Sequence, residues 1–488
     1  MGNTSHPLIH ENFDIKENSP DKRSESLREE RYFSESKPCY LKINEKDYRV
    51  TNYSAFGIVI ICESESELEN KLYDIPFIYN NVDIAHLDIQ KARIESQEEG
   101  YTTIAYEIFS DPIDMDKLDA VNAANKVIHR QKNFTESTSN IPPEVKAQVY
   151  EMEDWLEHLM AEINQIEENI NPSSNKSVVN YEETVISIIA KYLGQVFPQA
   201  YNKYEETLRP YPEEIHNDAV KFLRQKLNHI IYQAPFAERV FNKPLGYAGD
   251  YEMMNLIYKQ ENVGKSLFAQ CLHRYYINEP AAQAVRNRAD YLVNVITRAI
   301  EAAPKDRPYR ILSVACGPAM EWQQLIPTLP NIEQEIIVDL LDQDKTALLD
   351  TQNKLKQLCR QHSLPITFQF INKAIKNIIA RGTDYKEYDL VYSAGLFDYL
   401  SDPIANTAAK KMFESVKPGG KMVIGNFNVD NPNKAEMDYA LDWKLIYRSE
   451  NDLLSLFSDI GGKLSIEKEK LNLNLFCLIQ KNDGPAKK

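Results

Sequence analysis

The stretch that decides the fold runs from Tyr309 to Asp344 and reads YRILSVACGPAMEWQQLIPTLPNIEQEIIVDLLDQD. Its first apolar run predicts a buried strand, a turn of small residues then leads into a helical pattern, and a second apolar run follows. Apolar strands that alternate with helices indicate a parallel sheet with helices on both faces. The alternation continues to Phe427, and two later strand-like runs predict a hairpin at the sheet edge. We therefore expect an α/β domain with a Rossmann-like, doubly wound sheet over residues 301–482.

A candidate nucleoside site lies where the first two of these strands end. Small residues around Gly317 let the backbone approach a ligand at the start of a helix. Asp342 follows 25 positions later, at the end of the next strand, where a carboxylate can accept hydrogen bonds from both ribose hydroxyls. The structural alternative is an ordinary turn at Gly317 and a helix cap at Asp342. Nicotinamide binding is the rival function, but the loop lacks the G-x-G-x-x-G pattern.

The loop, the acid and the turn Pro418-Gly419-Gly420 before the fifth strand together resemble the class I methyltransferases. The resemblance implies S-adenosylmethionine as the cofactor. The loop of that family is usually richer in glycine and follows an acid. Here Ser313 stands at the position of the acid, and Ala315 and Ala319 stand at positions of glycines, so the methionine half of the cofactor could be held differently.

Further cofactor contacts are expected around this loop. Glu321, in the following helix, is a candidate replacement for the missing acid. Asn372 and Ala374 match the loop that contacts adenine in the family, and Ser393 and Gly395 follow the fourth strand, which should lie over the cofactor. The full set of expected cofactor contacts is Tyr247, Asp250, Ala315, Gly317, Glu321, Asp342, Asn372, Ala374, Ser393 and Gly395.

Two of those residues belong to the segment KPLGYAGDYEMMNLIY, Lys243–Tyr258. Gly246 and Gly249 predict a flexible turn, with Tyr247 and Asp250 beside it. We interpret the segment as a lid over the cofactor, contributed by the helical region that precedes the sheet. The alternative is a structural loop between two helices.

The acceptor side of the site is expected from residues after the fourth and fifth strands. Methyl transfer is an in-line displacement, so the main tasks are to hold the acceptor near the methyl group and to exclude water. Tyr399 and Asn426 are candidate catalytic residues. Arg448, beside Trp443 and Tyr447, could bind a carboxylate in an aromatic pocket, as suits an apolar acid. The alternative for Arg448 is a surface arginine at the start of a helix.

Longer motifs resemble one particular group of bacterial proteins. The segments GYAGDYEMMN, EPAAQAVRNR, ILSVACGPAMEW, SAGLFDYL and NFNVDNP resemble bacterial proteins described as extracellular-factor 3-hydroxypalmitic acid methyl ester biosynthesis proteins, over Pro143–Lys481. That resemblance implies carboxyl O-methylation of a 3-hydroxy fatty acid. Residues 143–300, with their helical periodicity, are expected to form a helical cap.

The N-terminal part is expected to be a separate module. Residues 1–36 are polar and predict a flexible arm, and residues 37–131 contain short strand-like runs that indicate a small β-barrel or sandwich. The element Asn52-Tyr53-Ser54-Ala55-Phe56-Gly57 resembles the [D/N]xSxxG pattern of PilZ domains, which implies binding of cyclic di-GMP. The candidate nucleotide contacts are Arg23, Arg28, Arg31, Asn52, Ser54 and Gly57. No two of the arginines have the RxxxR spacing, so a barrel without a ligand is the alternative.

Composition excludes several other classes. The formal net charge of −16 argues against binding to a nucleic acid backbone. The six cysteines are scattered without metal-ligand spacing, so we expect no metal site and a reduced, cytoplasmic compartment. No apolar run approaches the roughly 18 residues that cross a bilayer, and Met1–Pro20 lacks the apolar core of a signal peptide.

Three functions remain open. The leading hypothesis is an S-adenosylmethionine-dependent methyltransferase acting on a small apolar acid, with regulation by cyclic di-GMP through the barrel. The second is a non-enzymatic cyclic di-GMP effector with a degenerate methyltransferase domain, motivated by Ser313, Ala315 and Ala319. The third is a protein methyltransferase. A nucleic acid acceptor is disfavoured by the charge and by the lack of an Asn/Asp-Pro-Pro-aromatic tetrapeptide after the fourth strand.

Overall fold

The computed structural model describes residues 32–33, 39–98, 100–170, 175–329, 332–381 and 387–483. The chain divides into two compact units, Met1–Glu136 and Ser137–Lys488. The second unit contains both the helical region and the doubly wound sheet, so those two parts pack as one body. The boundaries expected from the sequence within this unit stay predictions.

The first unit is a closed antiparallel barrel of six strands with a short seventh strand at its side. The order around the barrel is β3-β2-β5-β6-β7-β4, and β4 pairs back with β3. Every second residue of β4 is buried, as expected for a strand with one face in the core. The elements are β1 (Tyr32–Phe33), β2 (Cys39–Ile43), β3 (Lys46–Ser54), β4 (Gly57–Cys62), β5 (Lys71–Tyr79), β6 (Val82–Glu98), β7 (Tyr101–Ile108) and α1 (Met115–Ser139).

The second unit opens with seven helices that carry a shared aromatic core. Phe197 packs edge-on against Tyr201 and Tyr275, with ring centroids 6.0 and 5.0 Å apart. Arg224 joins these helices to the sheet region by donating to the carbonyl oxygens of Asp438 and Tyr439. The helices are α2 (Pro143–Glu168), α3 (Asn175–Leu208), α4 (Glu213–Ile231), α5 (Pro235–Asn242), α6 (Tyr251–Lys259), α7 (Leu267–Asn278) and α8 (Pro280–Glu301).

The sheet that follows has the order β10-β9-β8-β11-β12-β14-β13. The five strands β8 to β12 run parallel to one another, and β14 is antiparallel to both of its neighbours, β12 and β13. Its elements are β8 (Tyr309–Val314), α9 (Met320–Leu325), β9 (Ile336–Asp342), α10 (Lys345–His362), β10 (Ile366–Asn372), α11 (Ile375–Arg381), β11 (Tyr388–Ser393), α12 (Asp402–Glu414), β12 (Val416–Phe427), α13 (Lys434–Tyr439), α14 (Glu450–Leu456), β13 (Gly462–Lys468) and β14 (Asn474–Lys481).

The strand order determines where a ligand site is expected in this sheet. The chain starts at β8 in the middle, proceeds outward through β9 and β10, and returns to the other side at β11. Such a switch point leaves a crevice at the carboxyl ends of the strands, where doubly wound sheets bind ligands. Buried apolar clusters pack on both sides of the sheet. The predicted α/β class, doubly wound sheet and C-terminal hairpin are confirmed.

Among the helices that the structure describes, none combines the length and apolar character needed to cross a membrane.

Candidate active site

A cavity of about 470 Å³ lies at the switch point of the second unit. Its floor is formed by the loop after β8, the end of β9 and the residues after β11. Its other wall comes from the helical region, namely from the segment around Gly246 and from one face of α8. The expected residues that line it are Tyr247, Ala315, Gly317, Glu321, Asp342, Gly395 and Tyr399.

The loop after β8 keeps a left-handed backbone even where glycine is missing. Ala315 has φ +55°, Gly317 has φ +51° and Ala319 has φ +45°. Left-handed conformations cost an L-residue roughly 1–2 kcal/mol each, and glycine avoids this cost. The departure from the glycine-rich pattern therefore changes residue types in the loop without abolishing its left-handed turns.

Asp342 connects this loop to the second strand. Its Oδ2 accepts the Gly317 N–H at 2.8 Å, and its Oδ1 accepts the Asp344 N–H at 2.9 Å. Burial raises the pKa of Asp342, while these backbone N–H groups act to lower it. Each carboxylate oxygen keeps a second lone pair. Because the residue lines the cavity, a ligand with two adjacent hydroxyls, such as a ribose, can be held there.

Glu321 is the acid nearest the loop in the next helix. Its Oε1 accepts the Tyr392 hydroxyl at 2.6 Å, and that hydroxyl oxygen accepts Trp322 Nε1–H at 2.9 Å. Burial raises the pKa of Glu321. The aromatic pair thus fixes the carboxyl group at the cavity wall.

Asp398 and Tyr399 form the wall beyond β11. Asp398 Oδ1 accepts the Phe427 N–H at 2.6 Å, and burial raises the pKa of Asp398 to about 6. The Tyr399 hydroxyl accepts Trp443 Nε1–H at 2.9 Å, which leaves its own proton available for donation. A phenol with an ordinary pKa of about 10 is protonated at neutral pH, so Tyr399 is a donor rather than a base there.

The segment interpreted as a lid borders the cavity through Gly246, Tyr247 and Gly249. A Cβ at Gly249 would meet the Tyr399 hydroxyl, so a larger residue here would have to displace the end of that side chain. Asp250 is not in the cavity lining. Its Oδ1 caps α6 through the Met253 N–H at 2.8 Å and also accepts from Arg239 Nε at 2.8 Å.

Two of the expected catalytic residues, Arg448 and Asn426, are buried and lie outside the cavity lining. Arg448 is 3% exposed, and its guanidinium donates to the carbonyl oxygens of Phe397 and Leu400 and to side chains of Asn426 and Asp402. Asn426 in turn donates to the carbonyl oxygen of Phe427. Neither lines the cavity. Arg448 is neither a surface residue nor a free carboxylate binder, because its donors already hold the turn after β11.

Besides Asp250, three expected cofactor contacts lie outside the lining. Asn372 Nδ2 donates to the carbonyl oxygens of Asp342 and Gln343 at 3.2 and 2.9 Å, so it shapes the loop after β9. Ser393 is 1% exposed at the end of β11. Ala374 is half-buried after β10. Contact of Asn372 and Ala374 with an adenine stays a prediction.

Arg288 was not expected from the sequence, yet it lines the cavity from α8 and is 8% exposed. The sequence does contain an indication of this residue, in the helical spacing of its apolar neighbours. Val285, Ala289 and Leu292 share its helix face and line the same cavity, so an arginine stands inside an otherwise apolar stripe.

The barrel of the first unit has its own cavity, of about 360 Å³. Asn52, Ser54 and Gly57, the described part of the expected nucleotide site, all line it, together with Arg93. The expected arginines Arg23, Arg28 and Arg31 lie outside the described residues.

Comparison with known proteins gives only distant likenesses. No family model and no curated protein matches the chain. Among solved structures, it is similar to a possible exported protein from Bordetella parapertussis, with 18% identity over 48% of this chain and 79% of that one, at a TM-score of 0.38. It is also similar to magnesium protoporphyrin IX methyltransferase from Synechocystis PCC 6803 with bound SAH, with 10% identity over 42% and 88% of the chains and a TM-score of 0.32.

A third similar structure is an S-adenosylmethionine-dependent methyltransferase from Clostridium acetobutylicum, with 12% identity over 40% of this chain and 92% of that one, at a TM-score of 0.29. At such low identities and TM-scores, these likenesses carry no argument about the function of this chain.

The raised pKa of Asp398 predicts a pH-dependent gain in stability on replacement by asparagine. The folded protein binds this proton more tightly than the unfolded chain, so wild-type stability falls as pH rises from the unfolded pKa of 3.8 to the folded value of about 6. Asp398→Asn keeps an oxygen for the Phe427 N–H but removes the buried charge. We expect its advantage in free energy of unfolding to be about 2 kcal/mol larger near pH 8 than near pH 4, measured by urea titration.

The control for this experiment is Asp350→Asn, in a half-exposed carboxylate on α10, which should show no such change. An advantage for Asp398→Asn that is equal at both pH values would contradict the assignment.

Proposed function

We propose that this chain is an S-adenosylmethionine-dependent methyltransferase. The observation that carries the proposal is the Gly317–Asp342 hydrogen bond of 2.8 Å at the floor of the switch-point cavity. It presents a buried carboxylate at the position where a doubly wound sheet binds a ribose. The family resemblance of the loop and of the turn at Pro418–Gly420 supports the choice of this nucleoside cofactor.

Two features weigh against a nicotinamide cofactor. The loop after β8 lacks the G-x-G-x-x-G pattern. The sheet also departs from the six-stranded dinucleotide order, because antiparallel β14 is inserted between β12 and β13. Volume does not oppose the proposal, since about 470 Å³ falls within the roughly 300–1,000 Å³ usual for compact ligands.

The residues of the cavity can be assigned to parts of the cofactor. Asp342 would accept the ribose hydroxyls, and the backbone of Ala315 and Gly317 would approach the sugar closely. Tyr247 and Gly249 would cover the nucleoside from the helical side. When bound, the cofactor supplies a sulfonium methyl group, and the protein's part is to hold an acceptor in line with it and to exclude water.

The acceptor that fits best is an apolar carboxylic acid, as the family resemblance implies for a 3-hydroxy fatty acid. Leu245, Trp443 and Leu445 give the cavity an apolar wall. The Tyr399 hydroxyl can donate its proton to one carboxylate oxygen and leave the other free to attack. A carboxylate is already ionised at neutral pH, so carboxyl methylation needs no general base. Tyr399 would therefore position the acceptor without exchanging a proton.

Replacement of Asp342 by alanine or asparagine should abolish most of the cofactor affinity. Each hydrogen bond from a ribose hydroxyl to a carboxylate contributes about 1.5–3 kcal/mol, so losing two of them should weaken binding by roughly 100-fold or more. Isothermal titration calorimetry with S-adenosylmethionine measures this. Asp350→Asn, on the neighbouring helix, is the matched control and should bind like wild type. Equal binding by wild type and the Asp342 variants would refute the assigned site.

The acceptor group can be identified with a pair of substrates. With radiolabelled S-adenosylmethionine, a long-chain 3-hydroxy acid should gain one methyl group, whereas its preformed methyl ester should gain none because its carboxyl group is blocked. Methylation of the ester would show that the acceptor is the 3-hydroxyl group and not the carboxylate. Labelling of cell proteins but not of lipids would favour a protein methyltransferase, and labelling of neither would favour the non-enzymatic effector.

We propose, as a second function, that the barrel binds cyclic di-GMP and regulates the enzyme. The supporting observation is that Asn52, Ser54 and Gly57 line one cavity, where Asn52 Oδ1 is buried without a hydrogen-bond partner among the described residues. The charges of the described lining are unfavourable for a dianion, since Arg93 already pairs with Glu95 at 2.7 Å. Binding would therefore depend on the arginines of the N-terminal arm.

Binding of cyclic di-GMP should require both halves of this site. We expect the full chain to bind it in calorimetry, and both Asn52→Ala and a triple substitution of Arg23, Arg28 and Arg31 by alanine to lose most of the affinity, because each removes phosphate or base contacts. Lys42→Ala, on an exposed position of β2, is the control. If the full chain does not bind cyclic di-GMP, the proposed second function is wrong and the barrel does not bind this nucleotide.

A further inference from the structure

Arg288 is a buried cation that the fold leaves without an acid partner. Its Nη2 donates to Met254 Sδ at 3.3 Å, which is a weak acceptor. Within the described part of the chain, no carboxylate comes within salt-bridge distance of its guanidinium. A guanidinium stays charged at any physiological pH, and burying it without an anion is costly. The site is therefore built for an anion that arrives with a ligand.

The surroundings of Arg288 define what kind of ligand fits. Glu321 and Asp398 line the same cavity, and the charge of Arg288 acts on the pKa of both carboxyl groups. A cation with acids in its neighbourhood is complementary to a ligand that carries both a carboxylate and an ammonium group. An α-amino acid group is the common chemical form of that arrangement.

The position of Arg288 in the cavity indicates which part of a bound nucleoside ligand it would contact. Its guanidinium lies against Gly395, where a Cβ would be 2.9 Å from Nη1. Gly395 follows β11, whereas Asp342 ends β9, and these two strands flank β8 on opposite sides. A nucleoside anchored by its ribose at Asp342 would extend its 5′ substituent across the Ala315–Gly317 loop towards β11 and Arg288.

We propose that Arg288 binds the carboxylate of the cofactor's methionine part, with Glu321 and Asp398 facing its ammonium group. This inference rests on the proposed function. It gives the helical region a direct share in cofactor binding, and it accounts for a loop that has Ser313 in place of an acid. A spectator carboxylate suits a bidentate guanidinium, whereas an acceptor carboxylate held by both oxygens would lose the lone pair that must attack the methyl group.

The experiment compares S-adenosylmethionine with decarboxylated S-adenosylmethionine, which differs only in that carboxylate. Calorimetry on wild type should show a preference for the carboxylated form of roughly 30-fold or more, as for a buried charge pair. In Arg288→Gln that preference should vanish. Affinity for S-adenosylmethionine should fall by the same factor, and affinity for the decarboxylated form should stay equal or rise, because a cation that repels it has been removed.

Two further variants complete the test. Arg288→Lys keeps the charge but loses the planar fork, so its preference should be intermediate. Arg298→Gln, an exposed position on the same helix, should retain the full preference. If Arg288→Gln does not fold, judged by near-ultraviolet circular dichroism, the wild-type and Arg288→Lys preferences decide the matter.

Failure of this inference and failure of the proposed function give different experimental results. A wild type that binds both compounds equally, or an Arg288→Gln variant that keeps the preference, would overturn the role of Arg288 and leave the proposed function standing. A wild type that binds neither compound would refute the proposed function itself. A fall in acceptor affinity alone in Arg288→Gln would also overturn the inference.

Discussion

The hydrogen bond from the Gly317 N–H to Asp342 Oδ2 is the constraint on which the site depends. It joins the ends of β8 and β9, adjacent strands at the centre of the sheet. A second bond, from the Asp344 N–H, keeps the carboxylate from rotating. Because both bonds come from backbone groups, the position of this carboxylate follows from the strand register. The position of the carboxylate is therefore set by the sheet rather than by flexible side chains.

The cavity walls break the rule that buried charges are paired. Arg288, Glu321 and Asp398 are all nearly inaccessible to solvent, and burial raises the pKa of both acids. Buried charges of this kind lower the free energy of unfolding, and local rules of this kind are broken mainly at functional sites. Charges that the fold already holds in place also need little reorganisation when a ligand binds. We therefore regard the unfavourable electrostatics as part of the binding site.

Much of this arrangement was predictable from the sequence. The alternation of apolar strands and helices specified the sheet, and the spacing of Gly317 and Asp342 placed both at the carboxyl ends of adjacent strands. The hydrogen-bond partners of Arg448 were not predictable in this way. Arg448 stands among aromatic residues in the sequence, but the carbonyl oxygens of the turn after β11 take up its donors, and a one-dimensional pattern does not show such tertiary acceptors. Arg288 is not predictable from a local motif, because its apolar neighbours Val285 and Ala289 on α8 are equally typical of a helix face that packs in a core.

The central claim is that the switch-point cavity binds a nucleoside through Asp342, and a crystal structure of the full chain with S-adenosylhomocysteine tests it most directly. The account predicts both ribose hydroxyls within hydrogen-bond distance of the Asp342 carboxylate and the nucleoside above the Ala315–Gly317 loop. A nucleoside bound in another cavity, or one whose ribose does not contact Asp342, would contradict it.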